Sequence, residues 1–133
     1  MNKICTTIEQ SKKLLELGID INTADMYYEE VCNLPKAIVG NYILHNQCME
    51  DKDYKKLSNP VLSVAWSLSA LLDVLPKNLD IGRPVLATNY RGYYWVSYFD
   101  EYMKEKKFTS KIYNNPIDAC CEMIIKLNEL KIL

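Results

Sequence analysis

The chain has 133 residues, with 16 Lys plus Arg against 17 Asp plus Glu, 49% hydrophobic residues, five Cys, one His and ten Tyr. That length predicts a single domain, 1–133, able to bury roughly two thirds of its unfolded surface without a disulfide or metal staple. The formal net charge of −1 excludes a strongly cationic nucleic-acid binder, and the hydrophobic content excludes wholesale disorder.

In chain order, the opening segment carries one early Lys and no apolar run of signal-peptide length, so no secretion signal is expected. Thr6 and Glu9 have capping-box spacing and predict a first helix from about Thr7 to Leu17. Ile8, Ser11, Leu14, Leu15 and Gly18 share its inward face, and Gly18 provides the left-handed stop. The stretch 20–25 is turn-rich. Met26 to Val31 then reads as a short strand, Leu34-Pro35 as a break, Ala37 to Leu44 as a further strand, and Gln47 to Asn59 as a polar loop.

Asn59-Pro60 and the helical spacing of Val61, Val64, Ala65, Leu68, Leu71, Leu72 and Leu75 predict a second helix, starting at Val61 or Val64 and stopped by Pro76. It falls short of the roughly 20 apolar residues that span a bilayer, so no membrane segment is expected. Gly82-Arg83-Pro84 introduces a hairpin, Val85 to Tyr90 and Tyr93 to Tyr98, around a two-residue Arg91-Gly92 turn. That register pairs Tyr90 with Tyr93, Thr88 with Trp95 and Leu86 with Ser97 on one face. On the other it pairs Asn89 with Tyr94, Ala87 with Val96 and Val85 with Tyr98. Phe108 to Tyr113 adds an edge strand. Asn115 as N-cap, Pro116 at the first helical position and Asp118 in the first turn open a last helix. Its inward stripe is Ile117, Cys120, Cys121, Ile124 and Leu127, flanked by Met123 and Leu130. The expected fold class is α+β, three helices packed on a small, mainly antiparallel sheet.

Candidate chemistry is sparse. His45 and Cys48 could supply half a zinc site, but a structural site needs about four ligands and no matching pair accompanies them. Cys5, Cys32, Cys48, Cys120 and Cys121 are odd in number and irregular in spacing, which favours free thiols and a cytoplasmic protein. Adjacent Cys120 and Cys121 read as small packing residues. A Cys nucleophile with His45 as base has no local pattern behind it. Gly18, Gly40, Gly82 and Gly92 are too scattered for a phosphate loop, so no cofactor is expected. The carboxylate pairs Glu29-Glu30 and Asp51/Asp53 read as solvated surface.

The aromatic cluster of the hairpin carries the most information. Tyr90, Arg91, Tyr93, Tyr94, Trp95 and Tyr98 form a candidate interaction surface, with Arg83 nearby. Sheet aromatics beside cations could stack single-stranded bases. That reading is disfavoured, because Asp100, Glu101 and Glu105 interleave with Lys104, Lys106, Lys107 and Lys111. A protein partner or a homodimer is the better expectation, set against plain core plus amphipathic surface.

The segments AWSLSALLDVLP (65–76) and NPIDACCEMIIKL (115–127) resemble signatures of short uncharacterised proteins common in prophages and mobile elements of gut anaerobic bacteria. Thr6 to Ser11 and Thr23 to Met26 are similar to their start, whereas Cys32 to Asn59 matches nothing in that group. The resemblance implies a small cytosolic accessory protein in a bacterial host and carries no functional residue. The leading expectation is therefore a non-enzymatic interaction or accessory protein. The alternative is a small enzyme or ligand-binding module whose polar groups come from loops.

Overall fold

The computed structural model describes residues 3–30, 42–45, 61–77, 82–99, 106–131 and 133. Among them the fold is α+β, with three α-helices and two three-stranded antiparallel sheets, so the strands divide between two sheets rather than joining one. The contacts separate into two compact units, Cys5–Ala70 and Met1–Ile4 with Leu71–Leu133.

In the unit Cys5–Ala70, helix α1 spans Ile8–Glu16 and is opened by a capping box one residue later than the sequence suggests. The Thr7 hydroxyl accepts from the Gln10 amide at 3.1 Å, and the Gln10 side chain accepts from the Thr7 amide at 3.0 Å. Thr6 is displaced from the capping role because it is completely buried and bonded elsewhere. Its Oγ1 accepts from the Trp66 amide at 3.0 Å and lies 2.7 Å from Ser11 Oγ. After α1, Gly18 adopts φ +90° as expected, and Asp20 caps a short 3₁₀ turn, Ile21–Thr23.

Strand β1, Met26–Glu30, is the centre of the first sheet, between β2, Tyr42–His45, and β3, Val61–Ala65. Of the strand expected over 37–44, the part before Tyr42 lies outside the described residues, as does the loop expected over 47–59. The helix expected from Val61 or Val64 is overturned in its first part. Val61–Ala65 is extended and pairs with β1, Tyr27 opposite Val64 and Tyr28 opposite Ser63. A short apolar run fits strand or helix by periodicity alone, and here pairing with a distant strand decides the outcome. The extended path continues through Trp66, whose carbonyl accepts from the Thr6 amide at 2.9 Å. Trp66 is fully buried, and its indole N–H donates to Thr23 Oγ1 at 2.9 Å. Helix α2, Leu68–Val74, begins only after Ser67, whose hydroxyl accepts from the Ala70 amide at 3.3 Å. Asp25 in turn accepts from both the amide and the hydroxyl of Ser67. Cys5, Met26, Tyr28 and Ala65 form a buried apolar cluster, with Ile8 packed against it.

In the other unit, the second sheet has the order β4, β5, β6: Arg83–Thr88, Tyr94–Phe99 and Lys106–Thr109. The hairpin forms where expected, but its register is one residue away from the expected one. Thr88 faces Tyr94, Ala87 faces Trp95, Leu86 faces Val96 and Val85 faces Ser97, while Pro84 faces Tyr98. The slip arises from a three-residue loop, Tyr90-Arg91-Gly92, closed by Asn89 and Tyr93, in place of a two-residue turn. A one-residue shift changes every cross-strand partner. Strand β6 is an edge strand, as expected, and starts earlier, at Lys106. Beyond it, Ser110 keeps the pairing with β5 by accepting from the Val96 amide through its hydroxyl at 2.9 Å and donating its own amide to the Val96 carbonyl at 2.8 Å.

Helix α3, Pro116–Glu129, packs on β5. Its start is as the sequence predicts. Asn115 Oδ1 accepts from the Asp118 amide at 2.8 Å, Pro116 occupies the first turn, and Asp118 pairs with Lys3 at 2.6 Å. Ile117, Cys120, Cys121, Met123, Ile124 and Leu127 are buried, whereas Leu130 is half exposed beyond the helix end.

Candidate functional site

The aromatic cluster of the hairpin is divided by the register into a buried base and an exposed tip. Val96 and Tyr98 alternate on one face of β5 and are both fully buried. The Tyr98 hydroxyl donates to the Pro76 carbonyl at 2.9 Å, and burial, followed by the nearby Cys120 thiol, raises its pKa well above that of a free phenol. Tyr98 therefore belongs to the interior of its unit and is removed from the candidate surface. Tyr94 and Trp95 are half-buried. Tyr90 is 90% exposed and Tyr93 43% exposed, with Arg91 exposed between them.

The tip is held by Asn89, which the expected register placed in the strand opposite Tyr94. Asn89 Oδ1 accepts from the amides of Arg91 at 3.0 Å and Tyr93 at 3.2 Å. The Gly92 amide donates to the Asn89 carbonyl at 3.1 Å, and Gly92 takes φ +81°. Asn at the first turn position with Gly three residues later is the signal that marks this turn. Thr88 Oγ1 adds a bond to the Tyr93 carbonyl at 2.9 Å. Above this base, Arg91 Nε donates to Tyr90 Oη at 3.1 Å, and its guanidinium carbon lies 5.5 Å from the centre of the Tyr90 ring, within cation–π range. With the bond from the Asn89 amide to the Tyr93 carbonyl at 3.2 Å, the backbone of the tip is tied at five points, while Tyr90 and Arg91 face water.

The other candidates separate differently. His45 lies on β2, but its side chain, Cys32, Cys48, Asp51 and Asp53 fall outside the described residues, and so do Asp100, Glu101, Lys104 and Glu105. Cys5, Cys120 and Cys121 are buried and form no disulfide among the described residues. Burial pushes Cys120 and Cys121 up to about 12, so both stay protonated at neutral pH. Among the described residues no three His, Cys, Asp or Glu side chains cluster as metal ligands would.

Two open recesses show what the polar groups elsewhere do. One, of about 320 Å³, is lined by Thr7, Ile8, Glu9 and Tyr28. The other, of about 550 Å³, lies between α3 and the segment after β6. There Glu122 accepts from the Lys111 amide at 2.6 Å, and Lys126 donates to the Thr109 carbonyl at 3.0 Å. Those side chains tie the helix to the strand end. Among the described residues no helix is long and apolar enough to cross a membrane.

No family model matches this chain, and no curated protein or solved structure matches it.

Proposed function

We propose that the chain is a non-enzymatic interaction or accessory protein that contacts a protein partner, or a second copy of itself, through the hairpin tip Tyr90-Arg91-Gly92-Tyr93. The observation that supports this reading is the 90% exposure of Tyr90 on a turn whose backbone is fixed by Asn89. Tyr and Arg are the residue types that dominate protein interfaces, because each joins a large apolar or planar surface to a hydrogen-bonding end. A fixed turn lowers the ordering cost of association. The accessory role in a bacterial mobile element, and a cytoplasmic location, are part of this proposal and rest on the resemblance and on the odd number and irregular spacing of the cysteines.

The test is affinity capture with wild-type protein and the Tyr90→Ser/Tyr93→Ser variant, both checked for native circular dichroism. A partner retained by the wild type and lost by the variant supports the reading. Equal retention by both overturns it. Sedimentation at two protein concentrations separates a self-partner from a foreign one.

A further inference from the structure

We infer that the hairpin tip takes a carboxylate-bearing segment of a partner protein, an inference that rests on the tip being the interaction surface. Arg91 supplies the first argument. Its Nε is occupied by Tyr90 Oη at 3.1 Å, whereas among the described residues its two terminal guanidinium nitrogens make no hydrogen bond. Those nitrogens form a planar donor pair, whose natural partner is a carboxylate bound through both oxygens.

Local charge is the second argument. Residues 82–99 contain Arg83 and Arg91 and no Asp or Glu, in a chain whose total charge is −1. The hairpin is therefore a positive element on a near-neutral protein, complementary to an acidic segment. Nucleic acid fits less well, because a polyanion is held by many separate phosphate contacts and this tip offers a single free donor pair. Tyr90 and Tyr93, which flank Arg91 in sequence, both expose ring surface, which suits the apolar stem of a Glu side chain and the peptide planes beside it. The hydrogen bonds of Asn89 to Arg91 and Tyr93 hold this arrangement before any partner arrives.

The experiment uses full-length ¹⁵N-labelled protein and the peptide acetyl-Leu-Glu-Glu-Leu-Glu-amide, with its Gln counterpart as control. The glutamate peptide is expected to shift the Arg91, Gly92 and Tyr93 amide resonances, with binding at least tenfold weaker for the Gln peptide and for Arg91→Gln. Arg91→Lys, which keeps the charge but loses the planar pair, is expected to fall several-fold. Equal binding of both peptides, shifts confined to other residues, or an oligothymidylate that binds more tightly than the glutamate peptide would each overturn the inference. If the peptide fails while the Tyr90→Ser/Tyr93→Ser variant still loses a captured partner, the carboxylate specificity falls and the interaction surface stands.

Discussion

The hydroxyl of Tyr98 donates to the carbonyl of Pro76 at 2.9 Å, from a ring that is fully buried. Eight residues earlier in the same hairpin, Tyr90 is 90% exposed. One structural unit and one residue type thus supply both an interior anchor and an exposed contact. The two should respond oppositely to loss of the hydroxyl. Tyr98→Phe leaves the Pro76 carbonyl without its donor and is expected to cost about 1–2 kcal/mol. Tyr90→Phe is expected to stay within about 0.5 kcal/mol of wild type. Urea unfolding of both variants provides the comparison.

Thr6 and Thr7 are adjacent and do different work. Thr7→Ala removes an exposed cap of α1, for a loss of about 1 kcal/mol. Thr6→Val keeps the shape of a fully buried side chain but strands the Trp66 amide, which bonds Thr6 Oγ1 at 3.0 Å. An unsatisfied buried amide costs about 1–3 kcal/mol, so Thr6→Val is expected to be the more damaging change. Thermal unfolding of the pair would show the order, and an equal or reversed order would count against the buried network.

Glycine substitutions should separate geometry from crowding. A Cβ on Gly82, at φ +93°, would overlap the Phe99 carbonyl, so the backbone of the sheet must move to admit it. At Gly92, φ +81°, the space is open. Gly92→Ala is expected to cost about 1 kcal/mol from backbone strain alone. Gly82→Ala should exceed that by at least about 2 kcal/mol or prevent folding of its unit. Circular dichroism and denaturant midpoints of the two variants read this directly.

The buried thiols set a pH dependence. Cys120 and Cys121 are pushed by burial from 9.0 up to about 12. Between those values the unfolded chain loses protons that the folded chain keeps. Stability from these groups is therefore fully present below pH 9 and is lost progressively as pH rises toward 12. Tm should fall across that window, and less steeply in Cys120→Ala/Cys121→Ala. In the same protein at pH 8, iodoacetamide should label these two positions far more slowly than an ordinary thiol, until urea unfolds the chain. Peptide mapping by mass spectrometry gives the rate at each cysteine.

How much of this was legible in the sequence follows from how local each signal is. The start of α3 depends on Asn115, Pro116 and Asp118 within one turn, and it forms as read. Helix α1 was legible for the same reason, although the choice between Thr6 and Thr7 as cap was settled by the distant backbone of Trp66, which claims the Thr6 hydroxyl. The strand Val61–Ala65 was hidden because its pairing partner, β1, lies more than thirty residues away, and apolar spacing over five residues does not distinguish the two conformations. At the candidate site, the aromatic cluster was visible in composition, but its division was not. The Asn89 side chain sets the loop length, the loop length sets the register, and Tyr98 is carried into the interior while Tyr90 and Tyr93 remain at the tip.

The most direct test of the interaction surface places the photo-crosslinker p-benzoylphenylalanine at position 90 in the full chain, with position 12, an exposed site on α1, as the control. Irradiation in living cells is predicted to give a discrete protein adduct from position 90, reduced by Arg91→Gln and missing from position 12. No adduct from position 90, or the same adduct from both positions, would contradict the account.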